Sequence, residues 1–94
     1  MSTEFEWDPA KAASNLEKHG VSFTEAATVF FDPLSLTVPD PEHSVSEQRF
    51  VITGFSYQQR QLVVIHSDRG VRIRIISARL ATPSERKKYE SGLK

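Results

Sequence analysis

Three β-type runs follow one another in the second half of this chain with very little between them: Arg49–Phe55, Gln61–Ser67 and Val71–Arg79. Strands joined by such short links cannot cross over a sheet, so they must pair as an antiparallel meander. Residues 54–60 hold the first reversal and Asp68-Arg69-Gly70 the second. Ahead of them Leu34, Leu36 and Val38 alternate, which predicts a fourth short strand, followed by a loop over 39–48 rich in Pro, Asp, Glu and Ser. Alternation in the last run sends Val71, Ile73 and Ile75 to one face and Arg72, Arg74 and Ile76 to the other.

The first third reads differently. Residues 4–7, Glu-Phe-Glu-Trp, alternate as a short edge strand with Phe5 and Trp7 inward. Asp8-Pro9 then starts a helix, because Asp8 can accept the first free amide protons and proline fits the first helical position. That helix runs to about His19, with Gly20 as the left-handed residue after it. Ala12, Ala13 and Leu16 mark its predicted buried side, while Lys11, Asn15 and Lys18 share another. Ser22-Phe23-Thr24-Glu25 is a capping box, and Phe23, Ala26, Ala27 and Phe30 form the core stripe of a second helix ended by Asp32-Pro33. Thr82-Pro83-Ser84-Glu85 is another capping box, opening a terminal helix over 83–91; with few large apolar residues, mainly Tyr89 and, just beyond, Leu93, it is expected to be the least firmly docked element or a partner-binding one. The expected fold is α+β: two N-terminal helices packed on a four-stranded antiparallel sheet, with a C-terminal helix.

Ninety-four residues make one domain, residues 1–94. The chain has no cysteine, which excludes a thiol nucleophile, a disulfide scaffold and cysteine-ligated metal. No apolar run is long enough to span a bilayer, and no secretory signal pattern opens the sequence, so the expected address is cytoplasmic, with no membrane partner. Net charge is zero, but it is split: residues 1–48 carry nine acids and two bases, residues 49–94 ten bases and three acids. Seven of those ten bases are arginine, the side chain suited to bidentate phosphate contact. The plain alternative is that the two halves neutralise each other within one compact domain.

The residues Phe5-Glu6-Trp7-Asp8, Lys11, Asn15 and Lys18-His19-Gly20-Val21-Ser22-Phe23-Thr24-Glu25-Ala26 resemble the opening of the BrnT family of bacterial toxins. Phe30, Asp32-Pro33, Asp40, His43, Glu47 and Arg49 continue the likeness, and Arg72-Ile73-Arg74-Ile75-Ile76-Ser77-Ala78-Arg79, Ala81, Glu85 and Tyr89 complete it. The resemblance implies a RelE-like fold and the toxin half of a type II toxin–antitoxin pair. It also implies an endoribonuclease that blocks translation, held in check by a ribbon–helix–helix antitoxin of the BrnA type. Contact with DNA would then be indirect, through the antitoxin, with the complex repressing its own operon.

Metal-independent RNA cleavage uses the ribose 2′-OH as nucleophile. It needs a base for that proton, an acid for the departing 5′-oxygen and cations for the charge gathering on phosphorus. Arg74 and Arg79 lie within the family block and are the first candidates, with Arg49 beside them; their competing reading is a structural ion pair, with Glu25 or Glu85 for the first two and with Glu47 for Arg49. Arg72, Lys11 and Lys18 are candidate RNA contacts. His66 and His19 are the candidate proton carriers, because imidazole titrates near neutrality. The bland reading of His66 is a satisfied sheet residue, and that of His19 a cation capping its helix. Asp40, His43 and Glu47 lack a tight ligand spacing, and Pro39 and Pro41 oppose a helix there, so no metal and no cofactor is assigned. A second class of function stays open: a binding subunit without chemistry, which grips a DNA-binding antitoxin and tunes its repression. The nuclease reading requires the guanidinium groups to converge on one face with their charge available to phosphate.

Overall fold

A computed structural model describes residues 3–43 and 47–92. The order is β1 (Glu4–Glu6), α1 (Pro9–His19), α2 (Phe23–Thr28), β2 (Leu36–Pro39), β3 (Arg49–Phe55), β4 (Gln61–Arg69), β5 (Arg72–Leu80) and α3 (Pro83–Gly92). Short 3-10 turns at Val29–Phe31 and Pro41–His43 flank β2. Part of the loop expected over 39–48, and Leu93, lie outside the described residues.

The sheet corrects one expectation. It has five strands in the order β1-β5-β4-β3-β2, and β1 joins it parallel to β5, with Phe5 opposite Ile73 and Glu6 opposite Arg74. The helical connection α1–α2 lies between β1 and the rest of the sheet, long enough to return the chain in the parallel sense, whereas the later links allow only antiparallel pairs. The meander β2-β3-β4-β5 is antiparallel as read from its short links.

A second correction is a β-bulge. Ile65 pairs with Ser77 but His66 pairs with Ile75, so Ile76 is an extra residue on β5. Strict alternation places Arg74 and Arg79 on opposite faces. The bulge reverses the parity between them: Ile73 and Ile75 share the core face with Ala78, while Arg72, Arg74, Ser77 and Arg79 all fall on the outer face.

The core lies between the inner sheet face and the first two helices. Val21, Phe23, Ala26, Val29, Ile52, Leu62, Val64, Ile75 and Ala78 form it, with Phe5, Trp7, Ala12, Ala27 and Phe30 packed around. α1 begins as predicted, with Asp8 accepting from the amides of Ala10 (2.8 Å) and Lys11 (3.4 Å), and ends at Gly20 in the left-handed conformation. Its buried residue is Asn15, however, and Leu16 is half exposed. β1 covers only the first part of β5, so α1 meets a stretch of unpaired strand backbone. Asn15 satisfies it: Oδ1 accepts from the Ala78 amide (3.1 Å) while Nδ2 donates to the carbonyls of Ala78 (2.8 Å) and Val21 (2.9 Å).

The two capping boxes also differ. At Thr82 both halves form, the Thr82 amide donating to Glu85 (2.9 Å) and the Glu85 amide to Thr82 Oγ1 (3.2 Å). At Ser22 only Oγ takes part, accepting from the Glu25 amide (3.0 Å). The Glu25 carboxylate turns inward, takes the Ser56 hydroxyl (2.7 Å) and pairs with Arg60, and its pKa is lowered chiefly by the hydrogen bond from Arg60.

α3 is held on the outer face near β2 and β3. Tyr89 is buried, its ring meets Phe55 edge-on, and its hydroxyl donates to Asp32 Oδ2 (3.1 Å). Asp32 also takes the amides of Phe55 (2.8 Å) and Leu34 (3.0 Å). Burial opposes its charge, but these donors outweigh burial and its pKa falls below the ordinary value. Burial, with Asp32 next to it, pushes the Tyr89 phenol up to about 12. Gly54 allows this approach: a Cβ there would stand 2.9 Å from Asp32 Oδ2.

Replacing Asn15 by Leu removes three hydrogen bonds and leaves buried backbone groups of Ala78 and Val21 without partners. The expected loss is about 3 kcal/mol of folding free energy, read from the urea midpoint at unchanged slope.

Candidate nucleic-acid interface

The outer face carries two cross-strand rows of arginine. In the first, Arg49 on β3 and Arg74 on β5 flank Ser67 on β4, and Glu6 on β1 closes the row. In the second, Arg69 stands opposite Arg72, and Arg72 opposite Glu4. Ser67 is buried on the floor of the first row, and its hydroxyl has no hydrogen-bond partner among the described residues. Further along β5 the outer file continues through Ser77 to Arg79. Register places Arg74, Ser77 and Arg79 at successive steps of about 7 Å, two residues of a partner strand each.

Beside that file runs α1. Its docking through Asn15 aims Lys11, Ser14, Lys18 and His19 at the bare edge of β5, where they line a cleft of about 220 Å³ with Asn15, Ile76 and Ser77. Lys11 and Lys18 are exposed, and among the described residues neither has a carboxylate within 4 Å. The helical spacing that joined Lys11, Asn15 and Lys18 in the sequence is thus the side that meets the sheet edge.

The arginines converge, but their charge is not free. Arg74 bonds Glu6 (2.8 Å), Arg72 lies 3.6 Å from Glu4, Arg69 lies 3.1 Å from Glu47, and Arg49 lies 3.8 Å from the same carboxylate. Arg79 grips Glu85 with two bonds (2.6 and 2.8 Å), which hold the Glu85 carboxyl down at about 2 and raise Arg79 further. The ion-pair reading of Arg79 is therefore correct in its partner, Glu85, whereas Arg74 pairs with Glu6, and Glu25 goes to Arg60. The exposed Arg72–Glu4 pair contributes about 0–1 kcal/mol, and the partly buried Arg74–Glu6 pair still opens to solvent on the outer face, so a phosphate can displace the carboxylates of Glu4 and Glu6. The composition split foreshadowed the pairing in general, but Glu4 and Glu6 reach the arginines only because β1 lies parallel beside β5.

His66 is not at this face. It lies on the core side, 6% exposed, with its ring 4.7 Å from that of Phe30 and 5.8 Å from that of Phe50. Burial lowers its pKa and favours the neutral ring, and register turns its side chain to the opposite face of the sheet from the arginine rows. Among the histidines with described side chains, His19 is the one the cleft presents to solvent. Among the described residues no cluster of three His, Cys, Asp or Glu side chains is placed to hold a metal ion, and no helix is long and apolar enough to cross a membrane.

Glu85 has a depressed folded pKa, so its stabilising pair is fully present above the unfolded carboxyl range and is lost as pH falls from about 4.5 towards 2. Urea midpoints should drop over that window in the parent protein and drop less in Glu85→Gln. Glu6→Gln should tighten binding of a single-stranded RNA at low salt, because the phosphate no longer displaces a carboxylate from Arg74; fluorescence anisotropy reads the change.

A search of curated proteins finds no match. Among solved structures, the 1.1 Å crystal structure of the Brucella abortus ribonuclease toxin BrnT superposes with a TM-score of 0.68 at 21% identity, over 86% of this chain and 99% of that one, which shows a shared fold. The family model described as "Ribonuclease toxin, BrnT, of type II toxin-antitoxin system" matches residues 7–85. The match spans α1 to the start of α3 and includes the cleft and most of the arginine face, and the chain belongs to the BrnT family of ribonuclease toxins of type II toxin–antitoxin systems.

Proposed function

We propose that this chain is a metal-independent endoribonuclease that cleaves mRNA in the cytoplasm and so blocks translation. The observation that carries the reading is the cleft between α1 and β5, where Lys11, Lys18 and His19 face Ser77 beside the file of Arg74 and Arg79. Lys11 and Lys18 hold the backbone phosphates flanking the scissile bond. His19 takes the proton of the 2′-OH; the 2′-oxygen bonds phosphorus, and the bond to the 5′-oxygen breaks. The products are a 2′,3′-cyclic phosphate and a 5′-hydroxyl, the latter protonated by the imidazolium or by water. Arg74 and Arg79 stabilise the extra charge on phosphorus, after exchanging Glu6 and Glu85 for the phosphate. Arg49 and Arg72 lie along the continuing strand of RNA. Single-stranded RNA suits an open sheet face, since bases there are unpaired and accessible.

The partner in this reading is a ribbon–helix–helix antitoxin of the BrnA type, and the complex represses its own operon by binding DNA through the antitoxin. One observation favours the second reading, a non-catalytic subunit that grips an antitoxin: each arginine of the outer face already has a carboxylate neighbour.

Purified, antitoxin-free protein should cleave single-stranded RNA equally with and without EDTA. Loss of cleavage on chelation contradicts the metal-free step, and no cleavage in any condition favours the binding subunit. His19→Gln should lower the cleavage rate about 10²–10⁴-fold with the fold retained. Lys11→Gln with Lys18→Gln should weaken RNA binding and lower its salt slope by about two. Growth arrest on expression alone should disappear in Arg74→Gln.

A further inference from the structure

The two edges of the sheet are finished in opposite ways. At one edge β1 is three residues long and carries Glu4 and Glu6, and the remainder of β5 is occupied by Asn15. Short, charged and covered edges are the usual protection against pairing with another chain. At the other edge β2 is also short, at four residues, but it has neither charge nor cover. Its sequence, Leu-Thr-Val-Pro, has no charge, all four residues are exposed, and only Pro39 at its end blocks a ladder. The amide of Asp40 donates to the carbonyl of Arg49, so alternation along the pair leaves the backbone N–H and C=O of Thr37 facing away from β3.

The side chains beside this edge are also without cover. Leu36 and Val38 fall on the outer face opposite Thr53 and Val51, and with Thr53, Glu85, Lys88 and Tyr89 they line a groove of about 240 Å³ under α3. Leu36 and Val38, alternate residues on one face of β2, are 41 and 55% exposed, apolar surface of the kind that marks an interaction site. Two charged side chains line the groove. Glu85 is committed to Arg79, whereas Lys88 has no carboxylate within 4 Å among the described residues. A second copy of this chain, pairing through its own β2, would bring Leu-Thr-Val-Pro to the edge, a strand with no carboxylate to meet Lys88.

We infer that the free edge of β2 and the groove beneath α3 dock an extended segment of the antitoxin, added as a sixth strand, with aliphatic side chains against Leu36 and Val38 and a carboxylate on Lys88. Backbone bonds to Thr37 supply affinity, and the groove selects an acidic, aliphatic sequence. The proposal rests on the antitoxin partnership of the family and not on catalysis, and its binding is measured without RNA, so loss of cleavage leaves it standing and loss of peptide binding leaves the nuclease standing.

The probe is a short fluorescein-labelled peptide alternating valine and glutamate, compared by anisotropy with its valine–lysine counterpart on the full chain. The acidic peptide should bind about tenfold tighter, and Lys88→Glu should abolish or reverse that preference. Thr37→Pro, which removes the outward donor and no bond to β3, should weaken binding about tenfold. Should circular dichroism show that variant unfolded, Leu36→Ser with Val38→Ser carries the same test. Equal binding of the two peptides, undiminished binding to Thr37→Pro or to the serine pair, a self-associated dimer by sedimentation that excludes the peptide, or displacement of the peptide by single-stranded RNA each overturns the proposal.

Discussion

The amide of Asn15 holds the molecule's working geometry. A helix and a strand edge do not ordinarily satisfy one another, because the helix spends its backbone groups internally. Here one side chain imitates a strand, offering Ala78 an acceptor and a donor at once. The helix is thereby fixed in rotation, and residues one turn either way, Lys11 and Lys18, must overhang β5. Losing the amide would free α1 to roll toward its more apolar side, where Leu16 lies exposed.

The arginine face illustrates how much a low-energy ion pair can matter without stabilising the fold. Five guanidinium groups on one sheet would repel each other, and the carboxylates of Glu4, Glu6, Glu47 and Glu85 interleave them. Most of these pairs remain in contact with solvent and are exchangeable. The Arg79–Glu85 pair differs, since Glu85 also caps α3 through Thr82. Moving Arg79 to a phosphate therefore loosens the start of the helix whose only described buried side chain is Tyr89.

Much of this was legible in the chain. Capping residues and short links located three helices and the meander, because those signals are local. Phe23, Ala26 and Phe30 fell in the core as their spacing required. What was not legible depended on distant partners. Asn15 reads as a polar helix residue until a bare strand edge is known to lie opposite it. Glu25 has the spacing of a capping box, yet Arg60 and Ser56 take its carboxylate inward. β1 could be read as a strand but not assigned its parallel neighbour, and so Glu4 and Glu6 could not be matched to Arg72 and Arg74. His66 alternates with apolar residues in either reading, and only the rings of Phe30 and Phe50 decide it.

The bulge at Ile76 gives β5 an unusual sensitivity. Arg74 and Arg79 are separated by an odd number of positions, which in a regular strand would turn one of them into the core. They share a face because of a surplus residue, whatever side chain that residue carries. Position 76 should therefore accept many exchanges of amino acid, while the segment tolerates no change of length by one, since a single deletion rotates a guanidinium into the hydrocarbon interior. In this stretch what heredity must preserve is a count of backbone units.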